Sequence, residues 1–417
     1  MKRATQAMGR ALLGALVLVF SATAGWSQSL TWLGTLPGYE QSWAFDVSAD
    51  GSVVVGAAYN AAGEQGRAFR WTAAGGMQDL GVLPGGCCSE ARGVLADGSV
   101  VVGEARNADG WPRAFLWTAS EGMQDLGVLP GGYGSGARCV SADGRVVVGW
   151  AYNAAGEGRA FRWTAEYRRM EDLGTLGGYG SIALAVSADG RVVVGWALNA
   201  AIQWRAFRWQ NGVMQDLGTL GGSSSQAYGV SADGSVVVGG ATNAAGQERA
   251  FRWTAFGGMQ DLGVLPGGNW SEALDVSADG SVVVGGATNA AGQYRAFRWT
   301  VGRGIENLNF TYASLLTDGS VLMIANAISP NGRYIVGRGY NASTRRYEAF
   351  LLDTALRCTP HSGDVDNNGC IDDADLLAVL FAFGNSGYNL GRVDVNCDGA
   401  VDDVDLLTVL FNFGSGC

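Results

Sequence analysis

The chain has 417 residues, a formal charge of −10, 66 glycines and a single histidine. The acidity and the lack of a basic stripe exclude the electrostatic footprint of a nucleic-acid binder. With His361 the only imidazole, Ser-His and Cys-His nucleophile systems and histidine-ligated metals are excluded from residues 30–353.

Lys2, Arg3 and Arg10 precede the apolar run Ala11–Phe20 and the small residues Ala22-Thr23-Ala24. This order predicts a secretory signal peptide over residues 1–24, cleaved after Ala24. Ten apolar residues are too few to span a bilayer, and no other segment is long enough. A soluble exported protein with no membrane span is therefore expected. Lys2 is the only lysine and leaves with the signal.

From residue 30 a pattern of Ser-Ala-Asp-Gly, a valine run and Arg-Ala-Phe-Arg-Trp returns about every 46 residues. The turn falls at Asp50, Asp97, Asp143, Asp189, Asp233 and Asp279, with a degenerate copy at Asn331-Gly332. The aromatic strand falls at Phe69, Phe115, Phe161, Phe207, Phe251, Phe297 and Phe350, making seven copies. Such a period predicts a propeller or a similar closed array. Each unit reads as four strands, for example Ala273–Val276, Ser281–Val284 and Arg295–Trp299, with a fourth like Met259–Leu262. Asp-Gly supplies the positive φ that tight hairpins require. Valines apolar on both faces suit a sheet covered on both sides.

A lone fourth-strand sequence, Leu30–Gly34, opens the array, and Glu348–Leu352 ends it with none following. Pairing the two closes the ring and removes open edges. The expected fold is mainly β, a seven-bladed β-propeller over residues 30–353 closed by an N-terminal strand. A β-solenoid is the alternative, but it would not need the leftover strand to match the deficit. The repeats resemble the extracellular HAF-repeat family through Ala-Phe and the Asp-Gly turn. They depart at the first motif position, where Arg67, Arg113, Arg159, Arg205, Arg249, Arg295 and Glu348 replace histidine. The resemblance implies an exported repeat protein and no particular activity.

Whatever recurs in every copy is scaffold, so departures carry the functional signal. The loops entering each blade vary, and Tyr39, Tyr133, Tyr179 and Trp270 there form a candidate ligand rim. Flat rings beside hydrogen-bonding edges suit sugars; loop drift on a decayed repeat is the alternative. One innermost column reads Asp46, Gly93, Cys139, Ala185, Gly229, Asp275 and Ala327. Asp46 and Asp275, with Glu90 and Glu272 nearby, are candidate catalytic carboxylates for glycoside cleavage. Repeat divergence also places acids there. Cys87-Cys88 reads as a loop or a strained disulfide, and Cys139 as a small buried residue.

A short linker, 354–362, leads to a module at 363–417. Around it, ten aspartates from Asp364 to Asp405 face only Arg392, an excess that calls for a cation. Asp364, Asp366, Asn368, Cys370 (through its carbonyl), Asp372 and Asp375 stand at oxygen-ligand spacing, with Gly369 at the sharp turn. Asp394, Asn396, Asp398, Ala400 (carbonyl), Asp402 and Asp405 repeat the spacing thirty residues on. Each loop leads into an apolar helix, at Leu376–Phe383 and Leu406–Phe413. Two Ca²⁺ sites in paired EF-hand-like loops are predicted.

An aspartate at the last loop position, the duplication and the terminal placement resemble a type I dockerin. The resemblance implies calcium-dependent docking onto a cohesin-type scaffold domain, often in polysaccharide-degrading assemblies. It places partner selection at Asp373-Ala374 and Asp403-Val404. The family's basic residues further along the helices are replaced by Leu380-Phe381 and Leu410-Phe411. Cys358, Cys370, Cys397 and Cys417 allow three disulfide connectivities. The preferred one joins Cys358 to Cys417 and Cys370 to Cys397.

The expected function is a secreted propeller that binds carbohydrate or protein and attaches through the dockerin-like module. The alternatives are a glycosidase or polysaccharide lyase using channel carboxylates, and a structural cell-surface repeat protein.

Overall fold

A computed structural model describes residues 28–62, 66–355, 361–366, 368–385, 390–396 and 400–417. The expected signal peptide at 1–24 lies outside the described residues, as do Cys358, Cys397 and Asp398. The fold divides into a unit of Gln28–Thr354 and a second that takes in Ala355–Cys417.

The first unit is a seven-bladed β-propeller of seven four-stranded antiparallel sheets. Blades 1 to 7 begin with the inner strands Gln41–Val47, Ser89–Val94, Ser135–Val140, Gly177–Val186, Gly221–Val230, Ser271–Val276 and Val321–Ile328. In blade 7 the outermost strand is Ser29–Trp32, from the other end of the unit. It pairs antiparallel with Arg346–Asp353, Trp32 opposite Phe350. The ring closes as the leftover strand predicts.

The recurring residues hold blade to blade. The valine run is buried between neighbours: Val53 and Val55 of blade 1 pack with Val101, Phe115 and Trp117 of blade 2. The motif phenylalanines, from Phe69 to Phe350, are fully buried. Gly56 faces Phe69 across the pair, where a Cβ would meet the Trp43 carbonyl and the Phe69 ring. In blades 1 to 6 a serine of the inner strand joins two blades. Ser181 Oγ donates to the Gly174 carbonyl at 2.6 Å and accepts from Ala160 N of the preceding blade at 2.9 Å. Ser42 accepts from Ala349 N at 2.9 Å in the same way and so helps close the circle. Motif arginines form ion pairs within a blade, as Arg113 with Asp125 at 2.8 Å. Others reach the next blade, as Arg208 Nε to the Gly234 carbonyl at 3.1 Å.

In the second unit, Asp372 and Asp402 cap the helices Asp373–Ala382 and Asp403–Phe411, each in a capping box with Asp375 or Asp405. Ile371, Val379, Val395, Val401 and Val409 form its core. The two halves exchange strands of backbone hydrogen bonds. Gly384 N donates to the Val401 carbonyl at 2.8 Å, and Gly414 N to the Ile371 carbonyl at 2.8 Å. This exchange corrects the preferred cysteine pairing. Ile371 N also bonds the Ser415 carbonyl at 3.0 Å, which lays the C-terminal tail along the first loop. Cys417 therefore bonds Cys370, not Cys358, and the Cys370–Cys397 pairing fails with it.

Candidate functional site

The inner strands run from a rim, where the entry loops lie, to the Asp-Gly turns at the opposite end. At the turn end the channel is uniform. Ala49 N donates to the Ala96 carbonyl at 2.8 Å, Ala188 N to Ala232 at 3.0 Å and Ala278 N to Pro330 at 2.9 Å. Asn331 Nδ2 donates to the Ala49 carbonyl at 3.0 Å, linking blade 7 to blade 1. Valines and alanines line this end.

Towards the rim the channel opens into a cavity of about 310 Å³. Each blade contributes one residue to its ring: Phe45, Arg92, Arg138, Leu184, Tyr228, Leu274 and Asn326. Every blade has an alanine before this position, and no such rule governs the position itself. The ring was missed in the sequence, although a signal was present. Ala-x-x-Val recurs in the inner strands of all blades but the seventh, where isoleucine ends it, and the first x takes five residue types in seven copies.

Asp46 and Asp275 lie one step deeper, on the second x, and both line this cavity. A β-bulge precedes each, between Ala44 and Asp46 and between Ala273 and Asp275. The bulge turns each carboxylate back towards the chain. Asp46 accepts from Val47 N and from Val94 N of blade 2, both at 2.8 Å. Asp275 accepts from Val276 N at 2.8 Å and Ile328 N of blade 7 at 2.9 Å. Each carboxyl thus joins two blades. Burial pushes both up to about 7, although the backbone donors pull the other way. Cys139 shares this level, its thiol pushed up to about 12 chiefly by burial, which suits an inert buried cysteine.

Glu90 and Glu272 are not brought into the cavity lining. Glu90 accepts from the Tyr59 hydroxyl at 2.9 Å and from Arg92. It stands directly opposite Glu104 across the strand pair. That like-charged pair is offset by Arg92 and by Arg138, whose Nη2 lies 3.3 Å from Glu104. Burial raises Glu272, and the Tyr228 hydroxyl opposes that shift.

Aromatic rings crowd the rim. Trp111 meets Tyr133 at 4.6 Å, Tyr133 stacks on Tyr152 at 4.6 Å, and Trp150 follows at 5.3 Å. Trp196 meets Trp204 at 4.1 Å, and Trp270 meets Tyr294 at 5.3 Å. Trp111, Tyr133, Tyr179, Trp204 and Tyr294 each leave between 38% and 56% of their surface exposed. Of the four predicted rim residues, Tyr133 and Tyr179 are exposed and Trp270 half-buried. Tyr39 packs against the core between blades 7 and 1. Trp111, Trp204 and Tyr294 were missed because they follow a second turn of their blades, at 107–110, 199–202 and 289–292, rather than standing on the entry loops. Cys87 and Cys88 form a vicinal disulfide on the entry loop of blade 2, where blade 3 has Tyr133-Gly134.

In the second unit, carboxylate oxygens of Asp364, Asp366 and Asp375 lie within 4.8 Å of one another. Asp375 is fully buried and accepts from Val365 N at 2.6 Å and Asp372 N at 3.0 Å. Burial pushes it up, but its backbone donors outweigh burial and hold it below the usual range. Asp405 repeats these bonds with Val395 N at 2.6 Å and Asp402 N at 3.0 Å. Three converging oxygens on one loop fit a hard divalent cation. Asp373, Ala374, Asp403 and Val404 are exposed. Leu377, Leu380 and Phe381 on one helix are matched by Leu407, Leu410 and Phe411 on the other, with Phe381 86% and Phe411 82% exposed.

No protein-family model and no curated protein matches this chain by sequence. Among solved structures, it is similar to an oligogalacturonate lyase from Vibrio parahaemolyticus, at 11% identity and a TM-score of 0.50. That match covers 78% of this chain and 93% of the lyase. The β-propeller domain of the Trilobed protease from Pyrococcus furiosus matches at 11% identity and a TM-score of 0.46, over 76% of this chain and 95% of that domain. TolB from Acinetobacter baumannii matches at 11% identity and a TM-score of 0.43 over 73% of this chain, which spans 64% of TolB. At such identities the likeness shows the propeller fold alone.

Proposed function

We propose that the chain is an exported carbohydrate-binding propeller, tethered through a calcium-ordered, dockerin-like module to a cohesin-type partner. The observation that carries the propeller's part is the rim of exposed aromatic pairs around a cavity whose lining changes from blade to blade. Rings of Trp and Tyr present flat apolar faces beside polar edges, which matches the two faces of a sugar. The HAF-like repeats and the basic-then-apolar N-terminus support export.

For the module, Asp364, Asp366, Asn368, Asp372 and Asp375, with the Cys370 carbonyl, would hold one Ca²⁺. Asp394, Asn396, Asp398, Asp402 and Asp405, with the Ala400 carbonyl, would hold the second. The matched apolar surfaces of the two helices, beside Asp373-Ala374 and Asp403-Val404, are the docking face. Calcium titration of the full chain tests this half: chelation should abolish the helical signal of the module and restoration of Ca²⁺ recover it. A module indifferent to chelator would defeat the reading.

Catalysis by Asp46 and Asp275 is the second reading, favoured by two carboxyls held near neutrality in one cavity. Their backbone bonds to neighbouring blades already account for both side chains. Incubation with polysaccharides, scored for retention and for released product, separates binding from turnover.

A further inference from the structure

The cavity ring is charged on one side only. Arg92 and Arg138, from adjacent blades 2 and 3, both line it. Their acidic partners do not. Glu90 and Glu104 line a separate recess of about 130 Å³ beside the vicinal disulfide. The carboxylates thus grip the two guanidinium groups from outside the channel. Arg92 also lies over the Phe45 ring, 4.1 Å from its centroid, which fixes the plane of the fork.

Several buried guanidinium nitrogens lack an acceptor among the described residues, and Nε of Arg92 is the one belonging to the cavity lining. A buried donor without a partner is costly, and the one on Arg92 belongs to a guanidinium group that also lines the cavity. Burial lowers the pKa of Arg138; the Glu104 charge opposes that shift, and the neighbouring charge of Arg92 adds to it. The floor does little to cancel these charges below neutrality, because Asp46 and Asp275 hold their protons up to about 7. Elsewhere the ring is apolar or neutral, with Leu184, Leu274 and Asn326, whose Nδ2 is committed to the Ala44 carbonyl at 2.7 Å.

We propose that the central cavity is a subsite for the carboxylate of an acidic sugar, held between the guanidinium groups of Arg92 and Arg138. The inference rests on the carbohydrate reading of the rim and adds the class of sugar. Arginine's planar fork matches a carboxylate bidentately, and the cavity's volume suits a single sugar ring rather than a chain segment. Rim aromatics would take the neutral neighbours along the same chain.

The test titrates the full protein with a panel of uronate oligosaccharides, each paired with its carboxyl-reduced counterpart. The acidic members should bind about ten- to hundredfold more tightly, the range for hydrogen bonds to a charged group. Arg138→Gln should remove that preference and leave the reduced oligomers bound as before. Because Arg138→Gln alone strands Glu104, the double variant Glu104→Gln/Arg138→Gln, neutral on both sides, guards against simple misfolding. Equal affinity for acidic and reduced oligomers would overturn the subsite while leaving the rim reading intact. Failure to bind any oligosaccharide would overturn both. Arg138-dependent binding of an acidic peptide instead of a sugar would overturn the ligand class.

Discussion

The two ends of the propeller channel are built from the same seven strands, yet they differ in kind. At the turn end, alanines from Ala49 to Ala278 hand hydrogen bonds from blade to blade around a wall of valines. At the rim end, the corresponding positions are Phe45, Arg92, Arg138, Leu184, Tyr228, Leu274 and Asn326. A closed ring needs its joints repeated, because any weak joint opens a sheet edge. It does not need its mouth repeated. The difference separates residues that hold the ring from residues left free to meet a ligand.

Breaking a joint in the scaffold should have the largest effect on stability. Phe161 is fully buried, and Phe161→Ala should cost about 3–5 kcal/mol, read from urea unfolding. Ser181→Ala removes partners from both Ala160 N and the Gly174 carbonyl, and about 1–3 kcal/mol should be lost. An unchanged midpoint in either variant would deny that the recurring residues are the joints.

Asp46 and Asp275 lie between the two ends and sharpen the contrast. Their carboxyls titrate near 7 in the folded ring, against an ordinary value of 3.8. The folded state therefore binds protons more tightly, and this contribution to stability is fully present below about pH 4. It is lost as pH rises towards 7 and levels off above that. Asp46→Asn/Asp275→Asn should flatten the decline between pH 4 and 7, measured as urea midpoints across that range. A slope identical to the parent's would remove these carboxyls from the account.

The smallest stability effect belongs to the rim. Trp111→Ala/Trp204→Ala should shift stability by no more than about 0.5 kcal/mol, as surface changes do. The same variant should weaken carbohydrate binding roughly tenfold, given about 0.5–1.5 kcal/mol for each ring.

Much of this architecture is legible in the sequence. The spacing of Asp50 to Asp279 and of Phe69 to Phe350 gives seven blades, and the unmatched strand Leu30–Gly34 gives the closure. The duplicated aspartates give the loop spacing of the second unit. What escapes is set by through-space packing. Asp46 reads as a free acid in sequence, and only the bulge beside it turns its oxygens onto Val94 N. The Cys370–Cys417 bond depends on the C-terminal tail returning along Ile371, which no cysteine spacing encodes. The ring of Arg92 and Arg138 was legible as a column of unlike residues within like strands.

The most direct test of the division between joints and mouth incubates the full chain and its Trp111→Ala/Trp204→Ala variant with a polysaccharide panel, scoring retention and released product together. The account predicts retention of the parent on at least one polysaccharide, roughly tenfold weaker retention of the variant, and no product from either. Retention indifferent to the rim, or product whose release is abolished by Asp46→Asn and Asp275→Asn, would contradict it.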